Sequence, residues 1–439
     1  MTLEDPAAYL RTLPAVRERT RLVYAQAERG ALTNFDLDPT KLDAVVSYVS
    51  AIIERDFAPD YSKIPPHGRW GNFDAGGYPR IQGLLDEWAA SGVPEEEVVR
   101  RLVDLFLISV LLDAGAGNKW VYTEASTNFS IGRSEGTAVA SYYLFKSGLL
   151  SSDPTNPYQA DAAALKDLDV AKVLEQIQHS EANPIDGPTG RVELLRSLGH
   201  ALEASPQFFG SIGRPGNMFD YLIQNSTPTP DGKHQVSLPT IWEVLMTGLN
   251  PIWPKGRTVI NGVPIGDAWP CSSMPQDGEE WEKIVPFHKL SQWLCYSILV
   301  PLERHGNIVF TEKEMQTGLP EYRNGGLLVD LGLLKLKPAV VEKGLSNYAA
   351  LGAVKEDEVP IFLPDDDVIV EWRAMTVCIL DKLLPLVNEK LGIAGTKDEL
   401  ILAQLLEAGT WKGGREVAAK LRPESRGPPI AIKSDGTLF

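Results

Sequence analysis

A carboxylate placed where a helix begins can do chemistry that neither feature does alone. The segment Gly318-Leu-Pro-Glu-Tyr-Arg-Asn-Gly-Gly326 offers one, with Glu321 falling at the expected helix start. Backbone N–H groups there favour an ionised carboxylate, which suits a group that stabilises a cation-like sugar or activates water. The same placement equally describes a plain acidic neighbour of a helix cap. A second carboxylate, Asp267, lies in Gly266-Asp-Ala-Trp-Pro-Cys271, a constrained loop that also carries the Trp269 indole and the Cys271 thiol. Just beyond, His288 and Gln292 stand four residues apart, on one face of a helix. Cys271, His288 and a carboxylate have the donor types of a zinc site. They lack the paired spacing of one, and the six histidines are scattered, so neither a metal nor another cofactor is expected. A buried histidine bonded to its neighbours accounts for His288 as well.

Two further segments are dense in side-chain chemistry. Asn118-Lys-Trp-Val-Tyr-Thr-Glu124 and Gly132-Arg-Ser-Glu-Gly136 set charges among glycines, which let a backbone approach a ligand closely. Lys119 or Arg133 can hold a phosphate there, and Glu124 or Glu135 sugar hydroxyls; ordinary helix-start charges are the alternative. The stretch from Ile64 to Arg80 is broken by prolines and glycines yet carries Arg69, Trp70, Phe73 and Asp74. A loop of aromatic and charged groups is more often functional than a bland linker. There is no GxGxxG after a strand, no P-loop, no GxSxG and no HExxH.

The elements that must position these residues are mostly helices. Apolar periodicity predicts helices over residues 42–53, over 287–303 and over 366–391, the last tolerating or kinking at Pro385. Pro94 and three following glutamates open another that runs towards Asp113. Asn261-Gly262 and Asp435-Gly436 each sit between β-prone residues and predict two small hairpins. The fold class is therefore mainly α, with helix far outweighing strand. No repeat or low-complexity linker divides the chain. One unit over 1–439 is expected, with at most a weak subdomain boundary that separates 1–150 from 151–439.

The chain has 439 residues, 42 basic against 58 acidic, for a formal net charge of −16. Such a field repels nucleic-acid backbones, although a local positive pocket for one small anion is compatible with it. No run approaches the roughly 20 apolar residues of a membrane span. The opening Met1–Pro6 lacks the basic and apolar segments of a secretory signal, and three cysteines without a CxxC pair fit a reducing compartment. A cytoplasmic enzyme of small-molecule metabolism is the expectation, its partner a small substrate and its oligomeric state open.

Several words taken together resemble a known family. Asp113-Ala-Gly-Ala-Gly117, Arg133-Ser-Glu-Gly136, Ser237-Leu-Pro-Thr240, Gly266-Asp-Ala-Trp-Pro-Cys271, Pro286-Phe-His-Lys-Leu-Ser-Gln-Trp293, Glu407-Ala-Gly-Thr-Trp411 and Ser434-Asp-Gly-Thr437 are similar to the uracil-catabolism protein family of fungi and bacteria, formerly a domain of unknown function. The resemblance runs from the Arg69-Trp70 loop to Phe439. It implies a uracil-degrading route through uridine monophosphate and a ring-opened ribosyl-urea, and for this chain the release of urea by cleavage of the N-glycosidic bond. Glu321-Tyr-Arg323, Lys289 with Gln292, and Glu371-Trp-Arg373 more faintly resemble words of the queuosine-salvage N-glycosylases, whose fold is similar to helical DNA glycosylases. Those enzymes carry aspartate where this chain has Glu321, and an acidic residue near the position of Ser297.

The resemblance implies the following roles. Glu321 stabilises the sugar cation or orients water, while His288 or Asp267 assists the leaving nitrogen. Arg69, Lys119, Arg133 or Arg323 grips a 5′-phosphate if there is one, and Trp70, Trp269 or Phe73 packs against the ureido group. Glu124, Glu135, Cys271, Gln292 and Tyr322 complete the expected substrate contacts. Arg69-Trp70, Glu124, the Asp267–Cys271 loop, His288 and Glu321 would then share one cavity. A metal-dependent amidohydrolase using Cys271, His288 and Glu321, and a non-catalytic scaffold, are the rival readings.

Overall fold

Two helices, each enclosed on all sides over 13 consecutive residues, organise the chain. In the helix Asp367–Lys390 every side chain from Val368 to Leu380 is buried, and in Lys289–His305 every one from Leu290 to Leu302. A helical stretch that is hydrophobic nearly all round belongs inside a protein, and these two, whose few polar side chains such as Arg373 are themselves buried, are wrapped by others. Glu95–Leu111 lies along Lys289–His305, while Leu13–Glu28 and Leu42–Phe57 lie along Asp367–Lys390. Pro385 stands in the exposed second half of its helix, where losing one backbone bond is tolerated. A single apolar core runs through these elements and includes residues from Leu13 to Ile430.

The computed structural model describes residues 5–433 except positions 114, 118, 254, 255, 354 and 356. Helix makes up 57% of it, against sheets of two or three short strands among the described residues. Thr258–Ile260 and Val263–Gly266 form the antiparallel hairpin expected at Asn261-Gly262, both turn residues having positive φ (51° and 80°). The other expected turn, Asp435-Gly436, lies outside the described residues. Just before it, Ala431–Ile432 pairs in parallel with Ile361–Phe362. Ala268–Pro270 pairs with Ile284–Pro286 and so fixes the Asp267 and His288 loops side by side. A further hairpin, Val121–Glu124 with Phe129–Gly132, leads directly into the helix Arg133–Lys146. The proline- and glycine-rich stretch after Ile64 is less irregular than its composition predicts, since Trp70–Phe73 makes one helical turn. Among the described residues no helix is long and apolar enough to cross a membrane.

Candidate active site

Three helix starts and one irregular turn meet around a cavity of about 830 Å³, measured with its open mouth. The helices are Arg133–Lys146, Lys289–His305 and Tyr322–Asp330. The turn is Leu406–Thr410, a wide π-type turn that runs into the helix Trp411–Leu421. The loop at His67-Gly68 closes the remaining side. Helix starts carry unpaired N–H groups and partial positive charge, so their convergence favours acidic side chains or an anionic ligand.

Glu321 caps the helix Tyr322–Asp330, accepting the N–H of Arg323 at 2.7 Å and that of Asn324. It keeps one side open to the cavity and is otherwise enclosed by protein. Burial raises its pKa; the two N–H donors and the Lys289 charge oppose this, and the net shift is upward. The sequence predicts the reverse, because helix donors can be counted in a sequence and lost water cannot. Lys289 lines the same cavity, and burial pushes its ammonium pKa down against the charges of Glu321 and Asp113. A carboxyl moved up and an amine moved down both approach neutral pH, where acid–base groups work best.

A buried ion pair braces both groups from behind. The Asp267 carboxylate accepts Arg373 Nη1 at 2.8 Å and Nη2 at 2.7 Å, the Trp269 indole at 2.7 Å and the Lys289 backbone N–H at 2.9 Å. Burial works against this charge, but Arg373 outweighs it and holds the carboxyl well below the usual range. Arg373 also reaches the carbonyl of Pro320, the residue before Glu321, at 3.4 Å. On the other side, Asp113 faces the cavity with its Oδ2 2.8 Å from Arg69 Nη1 and its Oδ1 accepting from Thr137 at 2.9 Å. Arg191 fixes that turn through the carbonyls of Leu112 and Gly115.

His67 and Glu407 form a second pair, Nδ1 to Oε2 at 2.6 Å. The imidazole centre is 4.8 Å from the Trp293 ring and 5.9 Å from that of Trp411, and all four residues line the cavity. Glu407 sits on the π-type turn, a deviation that recurs at functional sites because it re-aims a side chain.

Arg133, Arg323 and Arg415 also line the cavity, near enough to influence one another's charge. Arg133 donates to the carbonyl of Ser425 and Arg323 to that of Arg426, each at 2.8 Å, so one turn orients both. Arg415 pairs with Glu135 and lies over the Trp411 ring, 4.8 Å from its centre. Its helix approaches Arg323 closely because residue 414 is glycine; a Cβ there would collide with the Arg323 carbonyl.

Of the residues expected from sequence, Arg133, Glu135, Glu321, Tyr322 and Arg323 line this cavity. The others stand elsewhere. Arg69 is fully buried one layer back, bonded to Ser109, Ser134, Thr137 and Asp113. Trp70 packs between Phe106 and His305, with Arg304 over its ring, and Phe73 is core. Glu124 is occupied by Arg80, Thr127 and Tyr143; the Arg80 bonds bring its pKa down to about 2. Lys119 is exposed and does not line the cavity. His288 donates its Nε2–H to the Leu10 carbonyl at 2.7 Å, and burial pushes its pKa down. Gln292 is tied to Phe287 and Thr317. Burial raises the Cys271 thiol well above its usual range. Among the described residues no three His, Cys, Asp or Glu side chains are arranged to hold a metal ion. The cavity adds His67, Asn72, Asp113, Lys289, Trp293, Glu407, Trp411 and Arg415 to the expected set. Five of these, Asp113, Lys289, Trp293, Glu407 and Trp411, stand inside the words that carry the family resemblance; His67 and Asn72 lie in the stretch from Ile64 to Arg80 without having been singled out, and Arg415 had no such signal.

A family model described as a protein of unknown function (DUF1688) matches residues 9–439. The chain is 46% identical over 446 residues to a Lachancea kluyveri protein named Uracil catabolism protein 4, covering 100% of both chains. It is 44% identical over 435 residues to the Schizosaccharomyces pombe protein named Protein urg3, covering 99% of both.

Proposed function

We propose, from the premise that this chain belongs to the DUF1688 family, that it serves uracil catabolism as an N-ribosyl hydrolase releasing urea from a ribosyl-urea intermediate. A role in that catabolism is supported by near-half identity to the Lachancea kluyveri relative along its whole length. The observation that carries the reaction is the half-enclosed Glu321 carboxyl beside Lys289, in a cavity that holds a separate His67–Glu407 pair between two indoles.

In this reading the bond between the anomeric carbon and the urea nitrogen breaks, and its electron pair leaves with the nitrogen. That nitrogen takes a proton, and water supplies hydroxide to the sugar carbon. Glu321 faces the developing sugar cation and receives the proton of the attacking water, a role suited to a carboxyl with an upward-shifted pKa. Lys289 holds the negative charge of Glu321 in place. His67, backed by Glu407, delivers the proton to the departing nitrogen, and Trp293 and Trp411 offer flat apolar faces to the ureido group. Asp267 and Arg69 work from behind the wall, as positioning residues for Lys289 and Asp113.

The test is incubation of the purified protein with ribosyl-urea and its 5′-phosphate, with urea, ammonia and free sugar assayed together. Urea and sugar in equal amounts are expected. Ammonia in place of urea points to an amidohydrolase, and no product from either compound refutes the reading.

A further inference from the structure

We propose that the wall of Arg133, Arg323 and Arg415 is a phosphate-monoester subsite, and that the substrate of this cavity is phosphorylated on its sugar. The substrate half of this inference rests on the N-ribosyl hydrolase reading; the anion subsite does not.

Three guanidinium groups enter one wall from three different helices, Arg133–Lys146, Tyr322–Asp330 and Trp411–Leu421. Glu135, paired with Arg415, offsets one of the three charges; the like charges that remain raise each other's energy, and an anion that joins the wall relieves them. The pKa of Arg133 is lowered first by burial, then by Arg323 and, less, by Arg415, while Tyr322 and Glu135 oppose the shift without cancelling it. The groups are also held in place: the Ser425 and Arg426 carbonyls orient two of them, and the Trp411 ring underlies the third. Pre-oriented guanidinium forks match the several oxygens of a phosphate better than any single-point cation does.

Backbone geometry points the same way. Arg133 begins its helix with φ +57°, a left-handed conformation that costs a non-glycine residue energy, and it does so at the cavity wall. Among the described residues no side chain caps that helix start, so its N–H groups add to the positive field. In a chain that carries −16 as a whole, this wall sets three arginines against the single carboxylate of Glu135. Its position is also informative. Arg323 follows Glu321 by two residues on the same helix start, so an anion on this wall lies next to the carboxyl that faces the sugar.

The experiment is calorimetric titration of the full chain with inorganic phosphate, ribose 5-phosphate and ribose, alongside urea release from ribosyl-urea and its 5′-phosphate. Ribose 5-phosphate should bind about 100-fold more tightly than ribose, with an affinity that falls as salt rises. Arg133→Gln and Arg415→Gln should each weaken it about 10-fold or more. Arg415→Lys, which keeps the charge and loses the fork, should fall between. Thermal melts check folding, and if a glutamine variant fails to fold, the wild-type preference for ribose 5-phosphate over ribose still decides. Equal binding of the two, or phosphate binding indifferent to both arginines, overturns the subsite. Equal urea release from both ribosyl-ureas overturns the phosphorylated substrate while the reaction stands. Arginine-dependent phosphate binding with no urea from either compound leaves the subsite standing and removes the hydrolase reading.

Discussion

Replacing Glu321 by Gln separates the charge of this side chain from its shape. The wild-type carboxylate accepts two backbone N–H groups while facing the cavity. Glutamine keeps one acceptor oxygen, so the cap weakens by about 1 kcal/mol at most, a melting shift of roughly 2 °C in a protein of this size. Losing one preorganised charge opposite a cation-like sugar costs about 2.7 kcal/mol or more, roughly 100-fold in turnover. Activity should therefore collapse while stability hardly moves, and substrate binding should change little because the charge matters most in the transition state.

The pH dependence supplies an independent check. The folded-state pKa of Glu321 is raised, so between the ordinary carboxyl value and the raised one the folded chain holds a proton that the unfolded chain has lost. In that window wild-type stability falls as pH rises, and the Gln variant lacks that slope. Turnover of the wild type should rise with pH over the same window, because the ionised carboxylate is the working form. Steady-state urea release and thermal melts, run from acid to neutral pH on both proteins, measure the two effects together. Near-normal turnover in Glu321→Gln, or an acid limb at the ordinary carboxylate pKa, refutes the assignment.

Removing His67 (His67→Ala) should lower urea release by about 100-fold or more, yet spare a riboside whose leaving group departs without a proton, such as a nitrophenolate; equal losses on both substrates would remove its role as acid. Asp267→Asn should destabilise the fold by about 3–5 kcal/mol in chemical denaturation, since it leaves Arg373 charged and buried without its counterion. A loss under 1 kcal/mol would mean that the pair is not the brace described. In Gly414→Ala the new Cβ meets the Arg323 carbonyl, so a destabilisation of about 1–3 kcal/mol should accompany weaker binding of phosphate esters. A variant with unchanged melting and binding would show that the close approach is dispensable.

How far the site could be read without coordinates depended on sequence distance. Glu321 was legible because its cap, its flanking glycines and its helix are contiguous, and Asn261-Gly262 was legible for the same reason. The helices Asp367–Lys390 and Lys289–His305 followed from apolar patterning alone. Partners were not legible. Asp267 and Arg373 are 106 residues apart, and His67 and Glu407 are 340 apart. Glu124 illustrates the consequence: among glycines and charges it looks available, yet Arg80 occupies both its oxygens. Nor does composition announce the π-type turn at Leu406–Thr410, which carries Glu407.

Two buried ion pairs bracket the cavity, Arg69 with Asp113 and Arg373 with Asp267. Buried pairs add little net stability over apolar residues of the same volume, because desolvating the charges consumes most of what their attraction returns. Their distribution therefore argues for positioning. Arg69 spends its remaining donors on Ser109, Ser134 and Thr137, and Asp267 spends its remaining acceptor capacity on Trp269 and the Lys289 N–H. Arg133 and Arg323 are likewise held by carbonyls of one turn. Groups fixed from behind need not reorganise when a ligand arrives, and that is the condition under which an electrostatic site stabilises a transition state more than its ground state.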